Sequence, residues 1–192
     1  MTIDEKKIAL EKIATEIAEC RNCKLCEQRT QTVPGAGSPD AEILFIGEAP
    51  GKSEDLRGVP FIGAAGKFLD KMLDSIGLAR ADIFIANVVK CRPPENRDPA
   101  PEEAEKCWHF LEKQIEIIQP KLVATLGRHS MNRFLPGLKI SEAHGNPVRR
   151  KNGQVFLPLY HPAAALYSPG SRETHLADFA KIPKILEQIK LT

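Results

Sequence analysis

Apolar residues along the chain fall into two alternating kinds of run. Four are short and apolar throughout: Ile43 to Ile46, Ile83 to Val89, Leu122 to Leu126 and Val155 to Tyr160. Runs of this length without polar alternation predict strands buried on both faces. Between them apolar residues recur at helical spacing. Leu10, Ile13, Ala14 and Ile17 predict an amphipathic helix over about 4–19. Ala65, Phe68, Leu69, Met72, Leu73 and Ile76 form a second stripe. Ala104, Cys107, Trp108, Leu111, Ile115 and Ile118 form a third, with Pro101 near its start and Pro120 just past its end. A last helix is expected over about 172–190, kinked or broken at Pro183. Strand–helix alternation with non-amphipathic strands predicts an α/β fold, a parallel sheet covered on both faces. No internal repeat or low-complexity segment interrupts the pattern.

In such sheets ligands bind at the carboxyl ends of the strands, and the unusual residues sit there. Gly47-Glu48-Ala49-Pro50-Gly51 follows the first strand, and Asn87 lies towards the end of the second. Gly127-Arg128-His129-Ser130 follows the third, and His161-Pro162 the fourth. Parallel strands would bring all four groups to one pocket. An amide offers a donor and an acceptor side by side, which suits the edge of a nucleobase. A carboxylate can face a developing positive charge or orient water, and a histidine can donate to a leaving group. Each also has a plainer reading: Glu48 as a solvated loop residue, Asn87 as a strand-end cap, His161 as a structural histidine. Their joint placement favours the pocket.

The segment Gly63-Ala64-Ala65-Gly66-Lys67 invites comparison with a phosphate-binding loop. The G-x-x-x-x-G-K-[ST] pattern fails, because positions 61 and 68 are both Phe. A tight loop entering a helix is the better reading. Phe61, after Pro60, either anchors that loop to the core or stacks on a flat ligand.

The length of 192 residues suggests one domain. A net charge of +2 permits nucleic-acid binding without arguing for it. No segment approaches the roughly 18 apolar residues of a membrane span, and the charged, helical N-terminus is unlike a signal peptide. A cytoplasmic location follows by default. In that reducing setting the five cysteines read as metal ligands or core residues rather than disulfides. Cys20 and Cys23 form a C-x2-C half-site, and Cys26 adds a second. Cys91 ends an apolar run and Cys107 lies on an apolar helix stripe, so both fit a core role as well as a ligand role. Four thiolates suit zinc or a [4Fe–4S] cluster, and the spacing does not choose. The ferredoxin run C-x2-C-x2-C-x3-C-P is missing, which disfavours electron transfer.

The run Gly47-Glu48-Ala49-Pro50-Gly51-Lys52-Ser53-Glu54-Asp55, continuing through Gly58-Val59-Pro60-Phe61-Ile62-Gly63 to Ala65-Gly66, resembles the signature of family 4 uracil-DNA glycosylases. So do Asn87-Val88-Val89-Lys90-Cys91-Arg92-Pro93-Pro94, Asn96-Arg97-Asp98-Pro99, Thr125-Leu126-Gly127-Arg128 and His161-Pro162. The resemblance runs from Cys20 to the last helix. It implies a three-layer α/β/α sandwich around a four-stranded parallel sheet, in one domain spanning 1–192. The N-terminal segment 4–26 would be packed onto that domain through a structural [4Fe–4S] cluster on Cys20, Cys23, Cys91 and Cys107, leaving Cys26 spare. The implied substrate is uracil-containing DNA, hydrolysed without a catalytic metal or soluble cofactor by a monomer. By the same resemblance Phe61 stacks on the flipped uracil and Asn87 reads its Watson–Crick edge. Glu54 crowds C5 to exclude thymine, His161 faces O2, and Gly47 and Glu48 belong to the first motif. Two positions depart from the family pattern: Ala163 stands where a serine is usual, and Tyr167 where an arginine often is. A related group traps the abasic sugar covalently. It carries Gln-Pro-Gly in the first motif and a basic insertion, whereas this chain has Ala49 and no such insertion between Cys91 and Cys107, so turnover is expected. The rival readings are a non-catalytic or covalent-trapping binder of uracil-containing or abasic DNA, and a small redox protein.

Overall fold

The computed structural model describes residues 1–191. Its centre is a parallel sheet of four strands, β2 (Ile43–Gly47), β3 (Phe84–Asn87), β4 (Leu122–Leu126) and β6 (Val155–Leu159), every residue of which is buried. Two further strands extend its edges. β1 (Ala36–Gly37) pairs antiparallel with β3, and β5 (Val148–Arg149) antiparallel with β6, giving the order β1-β3-β2-β4-β6-β5. The four-stranded parallel sheet is therefore present inside a six-stranded mixed one. Two-residue strands carry no periodicity, which is why pattern alone does not reveal them. Pro158 fits inside β6 because its carbonyl accepts from Gly145 N at 2.8 Å, beyond the short reach of β5. Its missing N–H faces the same side, so no ladder bond is lost.

Alternation along the strands divides the core into two layers. Ile43 and Phe45 point with Ile85, Ala124 and Leu157 towards α3 (Ala64–Asp74) and α9 (Ile182–Lys190), meeting Leu69, Met72, Leu73, Ile182 and Ile185. Leu44 and Ile46 point with Ala86, Val123 and Phe156 towards α4 (Pro101–Ile118) and α5 (Arg128–Phe134), meeting Ala104, Leu111, Met131 and Phe134. The helix α1 (Ile3–Glu19) forms an outer layer, where Ile13 and Ile17 bury against Phe110 of α4. Its start is set by Thr2, whose hydroxyl accepts from Glu5 N while the Glu5 carboxylate accepts from Thr2 N.

Helix ends follow local chemistry. Pro101 opens α4, where its missing N–H costs nothing, and Gln119 closes it in the left-handed conformation before Pro120. The expected helix at 172–190 is two, α8 (Arg172–Phe179) and α9, with Pro183 in the first turn of the second. Pro183 breaks the segment rather than kinking it, because a proline is tolerated at a helix start and not in its interior. Four short α-helices are not expected from the pattern: α2 (Lys52–Arg57), α5, α6 (Ile140–Ala143) and α7 (Ala164–Tyr167). Among the described residues, no helix is long and apolar enough to cross a membrane.

Candidate active site

The parallel pairing sets Gly47 directly beside Asn87. Beyond the strands, Val88 N and Val89 N donate to the carbonyls of Gly47 and Glu48 at 3.0 and 3.1 Å, so the two post-strand segments stay joined past the ladder. A cleft of about 350 Å³ opens at these ends. Glu48, Asn87 and His161 line it, as their strand-end positions predict, and so do Glu54 and Phe61, which the motif resemblance singles out; Gly47 is not among its lining residues and packs against Asn87 and Phe61. Gly127 to Ser130 do not. The turn after β4 runs straight into α5, which carries Arg128 and His129 to the far side of Glu48, where His129 helps line a second hollow with Glu48 and Val88. One imidazole, not two, faces the cleft.

Phe61 forms a wall of the cleft and is also anchored, its ring buried and 5.6 Å from that of His161. Its backbone is left-handed, with φ of 52°, a conformation that costs a bulky residue about 1–3 kcal/mol. The surroundings hold it there. Arg80 donates to the Pro60 carbonyl at 2.9 Å and to that of Phe61, and is itself tied to Asp70 at 2.6 Å. Gly66 admits the Phe61 carbonyl into space that any side chain would fill. Glu54 Oε1 accepts from Ile62 N and Gly63 N, both at 2.9 Å. Glu54 thus lines the cleft and ties down the loop that carries Phe61.

Asn87 is buried, and its Oδ1 has no hydrogen-bond partner among the described residues. An unpaired buried amide oxygen costs about 1–3 kcal/mol, which a ligand donor would relieve. Its backbone is fixed by Lys90, fully buried, whose Nζ donates to the Asn87 carbonyl at 2.9 Å and to Gln114 Oε1 at 2.6 Å.

His161 Nδ1 accepts from Ala163 N at 3.2 Å, leaving the ring proton on Nε2. Burial pulls its pKa down to about 4, with His175 adding to the effect, so the ring is neutral at ordinary pH. His175 Nε2 lies 3.3 Å from the His161 carbonyl, and Nδ1 lies 2.8 Å from that of Ser171. Glu48 Oε1 is buried without a hydrogen bond. Burial, reinforced by the Asp98 charge, raises the Glu48 pKa to about 7 against the opposing pull of Arg128.

The supports at Arg80 and His175 left no mark in the sequence pattern, because each acts through a backbone carbonyl brought near by folding, which no local motif encodes. Lys90 lies in the Asn87 motif, but its second partner, Gln114, comes from α4.

The cysteines meet elsewhere. Cys20 and Cys23 follow α1, Cys91 lies beyond β3, Cys107 is on α4, and all four line one small cavity with Cys26, Ile17 and Phe110. The nearby Arg29 donates to Cys91 Sγ at 3.1 Å and to the Ala18 carbonyl at 2.8 Å. Among the described residues, three ligand atoms come within 4.8 Å of one another only at Glu48, Asp98 and His129. No three of the cysteine sulfurs fall mutually within that distance. Burial pushes the Cys107 thiol up to about 11 and raises those of Cys23 and Cys91. A cationic centre is what makes such buried thiolates tenable. The four-cysteine donor set and the apolar wall of the cavity fit an iron–sulfur group.

Fold and site together define an α/β protein with a cleft at the carboxyl ends of its parallel strands, shaped for a flat ligand that presents a donor to an amide oxygen. The uracil DNA glycosylase superfamily model matches residues 34–187. A Type-4 uracil-DNA glycosylase of Archaeoglobus fulgidus is 46% identical over 92% of this chain and 93% of its own. One of Sulfurisphaera tokodaii is 47% identical over 92% of this chain and 84% of its own. A Type-5 uracil-DNA glycosylase of Thermus thermophilus is 32% identical over 67% of this chain and 68% of its own. The chain belongs to the uracil DNA glycosylase superfamily and, within it, to the Type-4 group, as the motif resemblance implied.

Proposed function

We propose that this protein excises uracil from DNA, hydrolysing the N-glycosidic bond and leaving an abasic site. The observation that carries the reading is the cleft itself: the Phe61 wall, the unpartnered Asn87 amide, a neutral His161 and a half-buried Glu48 around one space of nucleobase size. Type-4 uracil-DNA glycosylases covering nearly the whole chain support it.

Extruding the nucleotide costs a few kcal/mol of unstacking, less at U·G mismatches and in single strands. Stacking on Phe61 returns about 1–3 kcal/mol. Asn87 Oδ1 accepts the uracil N3–H and its amide donates to O4. Cytosine offers the reverse pattern and leaves the buried amide unpaired, a mismatch worth on the order of 10⁴ in selectivity. Glu54 holds the loop that shapes the wall near C5, where a thymine methyl would have to fit. As the glycosidic bond breaks, charge gathers on uracil O2 and on the sugar. His161 Nε2–H meets the first, a preorganised donor worth about 3–4 kcal/mol. Glu48, ionised, meets the second or orients the water. At about 4 Å and an effective dielectric near 20, a carboxylate contributes roughly 4 kcal/mol. No catalytic metal or soluble cofactor enters.

The cysteine cavity would hold a [4Fe–4S] cluster on Cys20, Cys23, Cys91 and Cys107, whose contribution is structural: it pins segment 4–26 to the rest of a single domain. The protein would act in the cytoplasm, as a monomer.

The test is uracil release from a duplex carrying one uracil, in EDTA, for wild type, His161→Ala and Asn87→Ala. Wild-type cleavage with losses of two or more orders in the variants is the expected result. A folded protein that binds the duplex and releases no base would replace this reading with a uracil- or abasic-DNA binder.

A further inference from the structure

Beside Glu48, at the rim of the cleft and behind it, Asp98, Arg128 and His129 form a chain of charged or titratable side chains that the reading above does not use. His129 Nδ1 lies 3.6 Å from Glu48 Oε1, and His129 Nε2 lies 3.0 Å from Asp98 Oδ2. The same Nε2 lies 3.0 Å from Arg128 Nε, and Arg128 is paired to Asp98 at 3.5 Å. Glu48 Oε1 is the buried oxygen without a hydrogen bond, and the His129 ring is the imidazole nearest to it.

We propose that His129 is a positioning residue for the reaction: it holds the Glu48 carboxylate ionised and aimed into the cleft. The inference rests on the reading of Glu48 as the carboxylate that acts on the sugar or the water. Arg128 Nε can only donate, so it favours the tautomer whose Nε2 accepts. That tautomer carries its proton on Nδ1, directed at Glu48. The gap of 3.6 Å exceeds a hydrogen bond, and a small rotation of either side chain closes it, as catalytic contacts often tighten once substrate is bound. A donor there stabilises the ionised form of Glu48, whose formation burial and Asp98 oppose.

The charged groups facing Glu48 come from three directions. Asp98 and Arg97 belong to the segment before α4, and Arg97 is already held by both oxygens of Glu103 at 2.8 Å. Arg128 and His129 come from α5, and Glu54 and His161 lie across the cleft. Of these, His129 alone presents a nitrogen within 4 Å of the Glu48 carboxylate.

The test is uracil release by the full chain from about pH 5 to pH 9, for wild type, His129→Phe and His129→Asn, with Glu48→Gln as reference. Phenylalanine keeps the shape of the ring and removes both nitrogens. It should move the acid limb of kcat up by about one pH unit, a loss of about tenfold near pH 6 that fades towards pH 9. Asparagine restores a donor near Nδ1 and should return the limb to the wild-type position. A limb unmoved in His129→Phe, with activity either unchanged or reduced equally at every pH, would overturn the proposal. Infrared titration of the Glu48 carboxyl band, identified by its loss in Glu48→Gln, reads the same shift without turnover. A midpoint unchanged by His129→Phe overturns the proposal too. Full wild-type activity retained by Glu48→Gln would instead sink the reading on which the proposal rests.

Discussion

Gly47 and Asn87 stand side by side at the ends of β2 and β3, and the space a methyl on Gly47 would take belongs to the Asn87 carboxamide oxygen and the Phe61 ring. A Cβ built there comes within 2.7 Å of Phe61 Cζ. The close packing of Asn87 and Phe61 therefore depends on a glycine whose own φ is unremarkable. Gly47→Ala should cost about 100-fold or more in uracil release by displacing Asn87 or Phe61, with DNA binding largely kept. Single-turnover kinetics beside a binding titration separate the two effects.

Glu48 sets the pH dependence. With its pKa raised to about 7 and the ionised form active, kcat should fall tenfold per unit below about pH 7. His161, lowered to about 4, stays neutral over that range and contributes no limb. A rate profile that is flat from pH 5 to pH 8 would contradict the assignment.

The same raised pKa has a stability cost with a definite sign. Below about pH 4.5 Glu48 is protonated in both folded and unfolded chains, and no difference arises. As pH climbs from 4.5 to about 7 the unfolded chain ionises first, so folding loses stability, and the penalty is constant above 7. Glu48→Gln should therefore raise stability by roughly 1–2 kcal/mol at pH 8, after allowance for partial exposure, and leave it unchanged at pH 4. Denaturant unfolding at the two pH values checks this.

Arg80 holds Phe61 in its left-handed turn without touching the cleft. Arg80→Ala should lower kcat by about tenfold and destabilise the protein by about 1–3 kcal/mol, the cost of freeing strained backbone and a tied loop. Arg80→Lys, which supplies one donor instead of a fork, should recover only part of the activity.

At the cysteine cavity, Cys91→Ser should abolish visible absorbance and bound iron and lower the melting temperature, whereas Cys26→Ser should leave all three in place. EDTA should not reduce the activity of the intact protein. Iron analysis and melting curves of the two variants decide the ligand set.

Much of this protein is written locally. Four apolar runs between helical stripes are enough to specify a parallel sheet with two covered faces, because each strand's composition reports burial on both sides. That topology alone places Glu48, Asn87 and His161 at one end of the sheet, and the motifs bring Glu54 and Phe61 with them. The edge strands β1 and β5 were not legible, since two residues paired by position show no pattern. Nor was the direction of the turn after β4, which carries His129 behind Glu48 instead of into the cleft. The supports from Arg80 and His175 depend on carbonyls contributed by distant segments, and the burial of Lys90 depends on Gln114 of α4. The perturbed states of Glu48 and His161 likewise come from burial and from charges that only the assembled fold sets beside them. Sequence determines which groups arrive at the site; packing decides which atoms face each other there and in what protonation state, because desolvation and contact between remote segments exist only once the chain has folded.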